Sequence, residues 1–176
     1  MTDLCRPPEG SILEKIAWAE KTCDEHREGL LRDKVVAILL INFQRAADKS
    51  RETMLEVGVA QHCKSCEDRE GGSCCGAGLE DKYSGTLLLI NLLLNVAIPA
   101  ERRDPRGCFF LGERGCLLRA RHVICVNYLC KKITDHIPLE KISTLRDREG
   151  DELECLFLLN ERIKAVIRER NSNSNA

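Results

Sequence analysis

The sequence has almost no net charge. Its 176 residues include 27 Lys and Arg and 28 Asp and Glu, for a formal charge of −1. Proteins that bind nucleic acid non-specifically carry a basic field that attracts phosphate groups. The balance of charges therefore argues against a nucleic-acid partner. Hydrophobic residues make up 43% of the chain, enough to bury one core, so we expect a single domain over residues 1–176.

Targeting and membrane segments are also missing. Residues 1–8, MTDLCRPP, lack the basic and apolar regions of a secretory signal. The most hydrophobic stretch, Thr86 to Ile98, is too short to cross a bilayer, which needs about 20 residues. Asn91 and Asn95 share one face of this stretch, and Pro99 follows it. We predict a buried central helix that ends before Pro99, no membrane partner, and a cytoplasmic protein.

Catalytic and nucleotide-binding motifs are absent from the sequence as well. The Gly76-Ala-Gly78 segment is too short for a dinucleotide-binding fingerprint, and no predicted strand precedes it. The acidic pairs Glu67-Asp68 and Glu80-Asp81 are typical of solvated loops or helix caps. We therefore find no strong reason to expect an enzyme.

Strand-like alternation, internal repeats and low-complexity tracts are missing too. The sequence therefore predicts an all-α fold with little or no sheet, in which helices support two cysteine-rich loop regions. N-terminal helices are expected over residues 11–57, beginning at a Ser11–Glu14 capping box and breaking near Gly29. The segment from Val35 to Phe43 is apolar nearly all round and predicts a helix sunk into the core.

C-terminal helices are expected over residues 134–170. A short helix from Pro138 to Arg148 is predicted to end at Gly150, and an amphipathic helix follows it. A polar tail, Asn171 to Ala176, is expected to fray. The apolar stripe of the second helix comprises Leu153, Leu156, Leu159, Ile163 and Val166.

Cysteine, by contrast, is abundant, and eight of the 11 cysteines lie within residues 62–130. Thiolates at short spacings converge on a soft metal ion or an iron–sulfur cluster. In a reducing cytoplasm, clustered cysteines bind metals more often than they form disulfides. An odd number of cysteines also cannot all pair with one another in disulfides. The pattern is C-x2-C-x7-C-C, a 32-residue insert, then C-x7-C-x8-C-x4-C, and the predicted metal ligands are Cys63, Cys66, Cys74, Cys75, Cys108, Cys116, Cys125 and Cys130.

How these thiols are shared is left open by the sequence. Neighbouring side chains such as Cys74 and Cys75 point in opposite directions in an extended backbone, so the two can serve two metal positions. Eight thiolates suffice for two zinc sites, two cubane clusters, one of each, or a single site with spare thiols. Glycines beside the cysteines let backbone amides approach sulfur.

The histidines and the remaining cysteines carry weaker signals. His62 and His122 adjoin the cysteine region, where each can replace a thiolate, although a loop or supporting role is commoner. His26 and His136 lie in predicted helical segments away from it. The other cysteines are expected to be core or incidental thiols: Cys5, Cys23 and Cys155.

The cysteine pattern resembles a known family. The order of a cysteine pair, an adjacent pair, a long insert and the segment RHVICVNYLC at residues 121–130 is similar to the YkgJ-type zinc- or iron-chelating cysteine-cluster family. That family commonly has R-P-x-x-C-R-x-[YF]-x-C at the last motif, so the chain departs at His122 and Val126. The resemblance covers residues 62–130 and implies metal chelation without indicating a substrate. The matching positions are Arg121, Cys125, Tyr128 and Cys130.

We therefore expect a cytoplasmic protein that holds iron–sulfur clusters or zinc and acts in electron transfer, sensing or assembly. A structural zinc contributes about 10 kcal/mol to folding, but the apolar helices of this chain can form a core without it, which slightly favours iron–sulfur. Two alternatives stay open. One is an enzyme that uses the cluster or a Cys74–Cys75 redox dithiol, and the other is a zinc-stapled interaction module with a protein partner.

Overall fold

A computed structural model describes residues 7–70 and 74–174, and these form a mostly helical fold. The helices are α1 (Ile12–Arg32), α2 (Lys34–Glu56), α3 (Val59–Glu70), α4 (Gly85–Leu93), α5 (Val123–Asn127), α6 (Lys131–Thr134) and α7 (Leu139–Ser174), with a 3-10 helix at Leu79–Lys82. Strands β1 (Leu111–Gly112) and β2 (Gly115–Cys116) form a two-stranded antiparallel sheet. The prediction of a helical fold with little sheet is confirmed.

The capping box at the start of α1 is confirmed. The Ser11 hydroxyl accepts a hydrogen bond from the Glu14 amide at 3.4 Å, and the Glu14 carboxylate accepts one from the Ser11 amide at 2.6 Å. The predicted break near Gly29 is wrong, because α1 continues to Arg32. The chain breaks instead at Asp33, whose carboxylate caps α2 by accepting the amides of its first turn.

Only one face of α2 is buried, which corrects the prediction that this segment is sunk into the core. Val36 and Phe43 are fully buried, whereas Val35, Ile38 and Ile41 are each at least half exposed. The helix packs on α7 and α1 along its buried face. Apolar composition alone could not reveal which side of the helix the neighbouring elements would cover.

Helix α7 is continuous for 36 residues, so the predicted helix end at Gly150 is also wrong. Buried Leu145 and Leu156 lie on either side of Gly150, and packing of both halves outweighs the cost of about 1 kcal/mol that a glycine adds within a helix. The helix also includes Asn171 to Ser174, where a frayed tail was expected; residues 175 and 176 lie outside the described range.

Replacing Gly150 by Ala is expected to raise the free energy of unfolding by about 0.5–1 kcal/mol. A Cβ atom at this position meets no atom within 4 Å, so the better helix propensity of Ala comes without a clash. Urea denaturation would measure the change. Gly85→Ala, within α4, is the matched control, because its Cβ would lie 2.5 Å from the buried Trp18 ring and should lower stability. A lower stability for Gly150→Ala would contradict an unbroken α7.

Helix α4 is the buried central helix that the sequence predicts. Every residue from Gly85 to Asn91 is buried, but the helix ends at Leu93 rather than near Pro99. Asn95 ends it, with a φ of 60° in the left-handed region that Asn tolerates better than most residues. Among residues 7–70 and 74–174, we find no helix with both the length and the hydrophobicity of a membrane span.

The buried apolar residues form two groups that matter for the cysteines. The main core joins α1, α2, α4 and α7 with the segment around Phe110 and Leu118. A smaller second core lies between the end of α2, α3, α6 and the start of α7. Its buried members are Val59, Ile133, Ile137 and Leu145.

Candidate metal centre

All eight cysteines of the predicted ligand set border one cavity of about 950 Å³. Four of them precede α4 in the chain and four follow it. The volume lies near the upper end of the range of about 300–1,000 Å³ that small-molecule and cofactor sites occupy. The fold therefore brings distant thiols to a single space of the size that a cofactor needs.

Cys63 and Cys66 lie on α3, one turn apart, and this corrects the prediction that the cysteines of this region lie in a loop. Residues three apart on a helix share a face. Cys63 also packs against the second core, together with Cys130, which precedes α6. The Lys132 ammonium lies 3.9 Å from the Cys66 sulfur. Two α3 thiols are thus placed opposite the start of α6.

Cys75 is tied to Cys108 through the backbone. The Cys108 amide donates a hydrogen bond to the Cys75 carbonyl at 2.7 Å, and the next residues form a β-bridge between Gly76 and Gly107. The Ala77 amide adds a further bond at 2.9 Å to the Arg106 carbonyl. These bonds close the 32-residue insert and set the two halves of the cysteine pattern side by side.

Two short elements place the next thiols. Cys116 ends β2, opposite Leu111, and Gly115, directly after the hairpin turn, has a φ of 102° that favours glycine. Cys125 lies on α5, and the buried Tyr83 hydroxyl donates toward its sulfur at 3.8 Å. This hydroxyl therefore places a hydrogen-bond donor on the cavity wall beside the Cys125 sulfur.

The thiols divide between the two cores. Four pack against the main core, and we call these the inner set: Cys75, Cys108, Cys116 and Cys125. Two others pack against the second core, one lies beside Lys132, and one is exposed; we call these the outer set: Cys63, Cys130, Cys66 and Cys74. Adjacent Cys74 and Cys75 belong to different sets, although a hydrogen bond joins their two thiols.

Burial favours the neutral form of several of these thiols. The pKa of Cys63 is raised to about 11, mainly by burial and then by the nearby thiolates of Cys74, Cys130 and Cys66. Burial likewise raises the pKa of Cys108 to about 11. A bound metal must displace these protons, so its affinity falls as the pH falls.

The adjacent pair behaves differently from the other thiols. A hydrogen bond from the Cys75 thiol lowers the pKa of Cys74 to about 6, and the same bond together with burial raises the pKa of Cys75. The hydrogen bond therefore favours the thiolate form of Cys74 and the protonated form of Cys75. An exposed thiolate is the reactive form of cysteine.

A buried ion pair lies behind the cavity wall. Arg121, which borders the cavity, donates to both carboxylate oxygens of Glu152 on α7, at 3.1 and 3.2 Å. Glu149, one turn earlier, also borders the cavity and is bonded to Arg146 at 2.6 Å. Arg121 is a motif position in the sequence, but its partner Glu152 was not predicted. Glu149 and Glu152 are three residues apart in the sequence, and this spacing could have indicated an acidic helix face as the partner of Arg121.

The prediction that His136 lies away from the cysteines is wrong. Its ring borders the cavity, as does that of His62, and the two ring centroids are 5.6 Å apart. The chain folds back after α6 and brings His136 over α3. His122, in contrast, caps α5: its Nδ1 accepts the Ile124 amide at 3.3 Å, and the residue does not border the cavity.

The remaining cysteines lie elsewhere. Cys23 on α1 is buried and Cys155 on α7 is half-buried, and both pack in the main core. Cys5 lies outside the described residues. None of the ten described cysteines forms a disulfide. Cys23 and Cys155 therefore serve as matched controls for the cavity thiols.

The side chains line the cavity wall without meeting at one point. Within residues 7–70 and 74–174, no three His, Cys, Asp or Glu side chains lie close enough together to hold one metal ion as they stand. The donor chemistry nevertheless fits a soft metal, since sulfur and imidazole are the ligands that zinc and iron–sulfur clusters take. Loading would require deprotonation and a rotation of side chains toward the ion.

Comparisons with protein-family models, curated proteins and solved structures find no match for this chain. The resemblance to the YkgJ-type family therefore stays a prediction that depends on the cysteine pattern and the segment at residues 121–130.

Proposed function

We propose that this chain is a cytoplasmic metal-binding protein of the YkgJ type, which holds iron–sulfur clusters or zinc and acts in electron transfer, sensing or assembly. The observation that carries the proposal is the gathering of all eight predicted ligands around one cavity. Thiolates in this number suit soft metals and clusters. When bound, the metal or cluster would supply an electron-accepting or Lewis-acidic centre.

The protein's own residues would hold and shield that centre. The inner set is backed by the main core, which limits access of water from that side. The Tyr83 hydroxyl points toward the Cys125 sulfur, and a hydrogen bond to sulfur stabilises the thiolate form. The backbone bridge between Gly76 and Gly107 fixes the separation of Cys75 from Cys108 before any metal arrives.

Purification without oxygen, followed by metal and acid-labile sulfide analysis and a visible spectrum, tests this proposal. We expect bound metal in the unaltered chain and a lower total metal content in Cys63→Ser and Cys125→Ser. Cys155→Ser should keep the full metal content, because that residue packs in the main core and does not border the cavity. A folded, metal-free protein would contradict the proposal, as would equal metal content in all three variants.

Thiol–disulfide exchange is a second candidate function, favoured by the exposed position of Cys74 and by the Cys75 hydrogen bond that lowers its pKa. In such a reaction the Cys74 thiolate attacks a substrate disulfide and releases one substrate thiolate. Cys75 then attacks the mixed disulfide, which leaves a Cys74–Cys75 disulfide and a reduced substrate. A metal-free protein that reduces a model disulfide, and loses this ability on Cys74→Ser, would favour this function over metal binding.

A further inference from the structure

We infer that the cavity contains two chemically different metal sites, and that His136 is a ligand of the outer one. The outer site would take a zinc-type ion through Cys63, Cys66, Cys130 and His136. The inner set would hold the iron–sulfur cluster. This inference rests on the proposed function and goes further, since it assigns ligands and metal class to each side of the cavity.

The thiols of the two sites pack against different cores. The four inner thiols pack against the main core, while Cys63 and Cys130 pack against the second core with Ile133 and Ile137. Because the two cores are built from different helices, each core positions its own thiols. The inner thiols depend on the backbone bridge at Cys108 and on α5, whereas the outer thiols depend on α3 and α6.

The His136 ring is oriented by a hydrogen bond to the backbone. Its Nδ1 lies 2.6 Å from the Lys132 carbonyl oxygen. A carbonyl can only accept, so Nδ1 carries a proton, and in the neutral ring the lone pair is then on Nε2. Histidines that bind metals typically donate one ring N–H to a carbonyl or carboxylate in this way, which fixes the ring and exposes the other nitrogen.

The His136 ring lies near residues that neighbour the outer thiols. Lys132, whose carbonyl orients His136, also places its ammonium 3.9 Å from the Cys66 sulfur. His62, the chain neighbour of Cys63, has its ring centroid 5.6 Å from that of His136. The imidazole is therefore held on the side of the cavity where the outer thiols lie.

The ligand atoms on the two sides of the cavity favour different metals. Three thiolates and one imidazole form a tetrahedral ligand set that structural zinc sites use. The inner set offers sulfur alone, which suits an iron–sulfur cluster. His122, the histidine closest in sequence to Cys125, uses Nδ1 to cap α5 and does not border the cavity.

Cys74 is assigned to neither ligand set. It is exposed, whereas the other seven cavity cysteines are buried or half-buried. With His136 as the fourth outer ligand, both sites are complete without it. Cys74 then stays available to solvent at the edge of the cavity.

The test compares His136→Gln with His62→Gln in the full-length protein, purified without oxygen. Zinc, iron and sulfide are measured, and zinc affinity is determined by competition with a chromophoric chelator. We expect His136→Gln to weaken zinc binding by more than about 100-fold, because loss of an outer-shell partner alone typically costs 10–100-fold. Iron and sulfide should be unchanged, and His62→Gln should leave both metals in place.

Cysteine variants complete the test. Cys125→Ser should lose iron and sulfide and keep zinc, Cys130→Ser should do the reverse, and Cys74→Ser should keep both. Unchanged zinc affinity in His136→Gln, or joint loss of iron and zinc from Cys125→Ser, would overturn the two-site assignment while leaving metal binding intact. A folded protein with no metal at all would overturn both this inference and the proposed function.

Discussion

Replacing Glu152 by Gln should lower the free energy of unfolding by about 3–5 kcal/mol. Glu152 is fully buried and Arg121 is 6% exposed, and the carboxylate accepts two hydrogen bonds from the guanidinium. The variant leaves a buried guanidinium without its counter-charge. The nearby Glu149 is already engaged with Arg146 and cannot fully replace it. Urea denaturation at pH 7 would measure the loss.

Two controls distinguish the cost of leaving a buried charge unpaired from the cost of losing one ion-pair contact. The double variant Arg121→Met with Glu152→Met removes both charges, so it should cost less than Glu152→Gln alone. Glu161→Gln breaks an exposed pair with Lys164 and should change stability far less. A cost below about 1 kcal/mol for Glu152→Gln would show that the pair is not buried as the structure describes.

Replacing Asn91 by Leu should lower the free energy of unfolding by about 3 kcal/mol or more, and should also reduce metal loading. The buried Asn91 amide oxygen accepts the amides of Arg119 and Ala120 at 2.8 and 3.0 Å, and its nitrogen donates to the Ala120 carbonyl at 2.9 Å. Leu leaves these groups unpaired, at about 1–3 kcal/mol for each that is buried. The segment that leads to Cys125 then loses its attachment to α4.

The matched control is Asn42→Leu, the same substitution at an exposed position of α2. It should leave both the unfolding free energy and the metal content nearly unchanged, since surface substitutions usually stay within about 0.5 kcal/mol. Equal effects for the two variants would mean that the buried amide of Asn91 does not hold the downstream cysteine segment.

Features encoded by short-range patterns were predictable from the sequence. The Ser11–Glu14 capping box and the buried helix at α4 follow from local spacing, and both are present. The list of eight cysteines also came from spacing, and the fold gathers them at one cavity. The capping box and the buried helix are visible in the sequence because the residues involved lie within a few turns of each other.

Features that depend on tertiary packing were not predictable. The continuity of α7 through Gly150 and the exposed face of α2 are set by which neighbours each helix has, and no local pattern reports them. His136 looked remote because α6 ends and the chain turns back toward α3. The Arg121–Glu152 pair joins residues on α7 and the cysteine segment, which no periodicity within either one reveals.

The backbone bridge between Gly76 and Gly107 changes how strongly the inner thiols can act together. Closing a chain of the 32-residue length of this insert costs about 3 kcal/mol of entropy in a simple polymer estimate. Because the folded backbone already closes it, the Cys75 thiol is present near Cys108 at an effective concentration roughly two orders of magnitude above that of an open chain. The chelate advantage is therefore a property of the folded polypeptide, and local opening of this bridge would be a route to metal release.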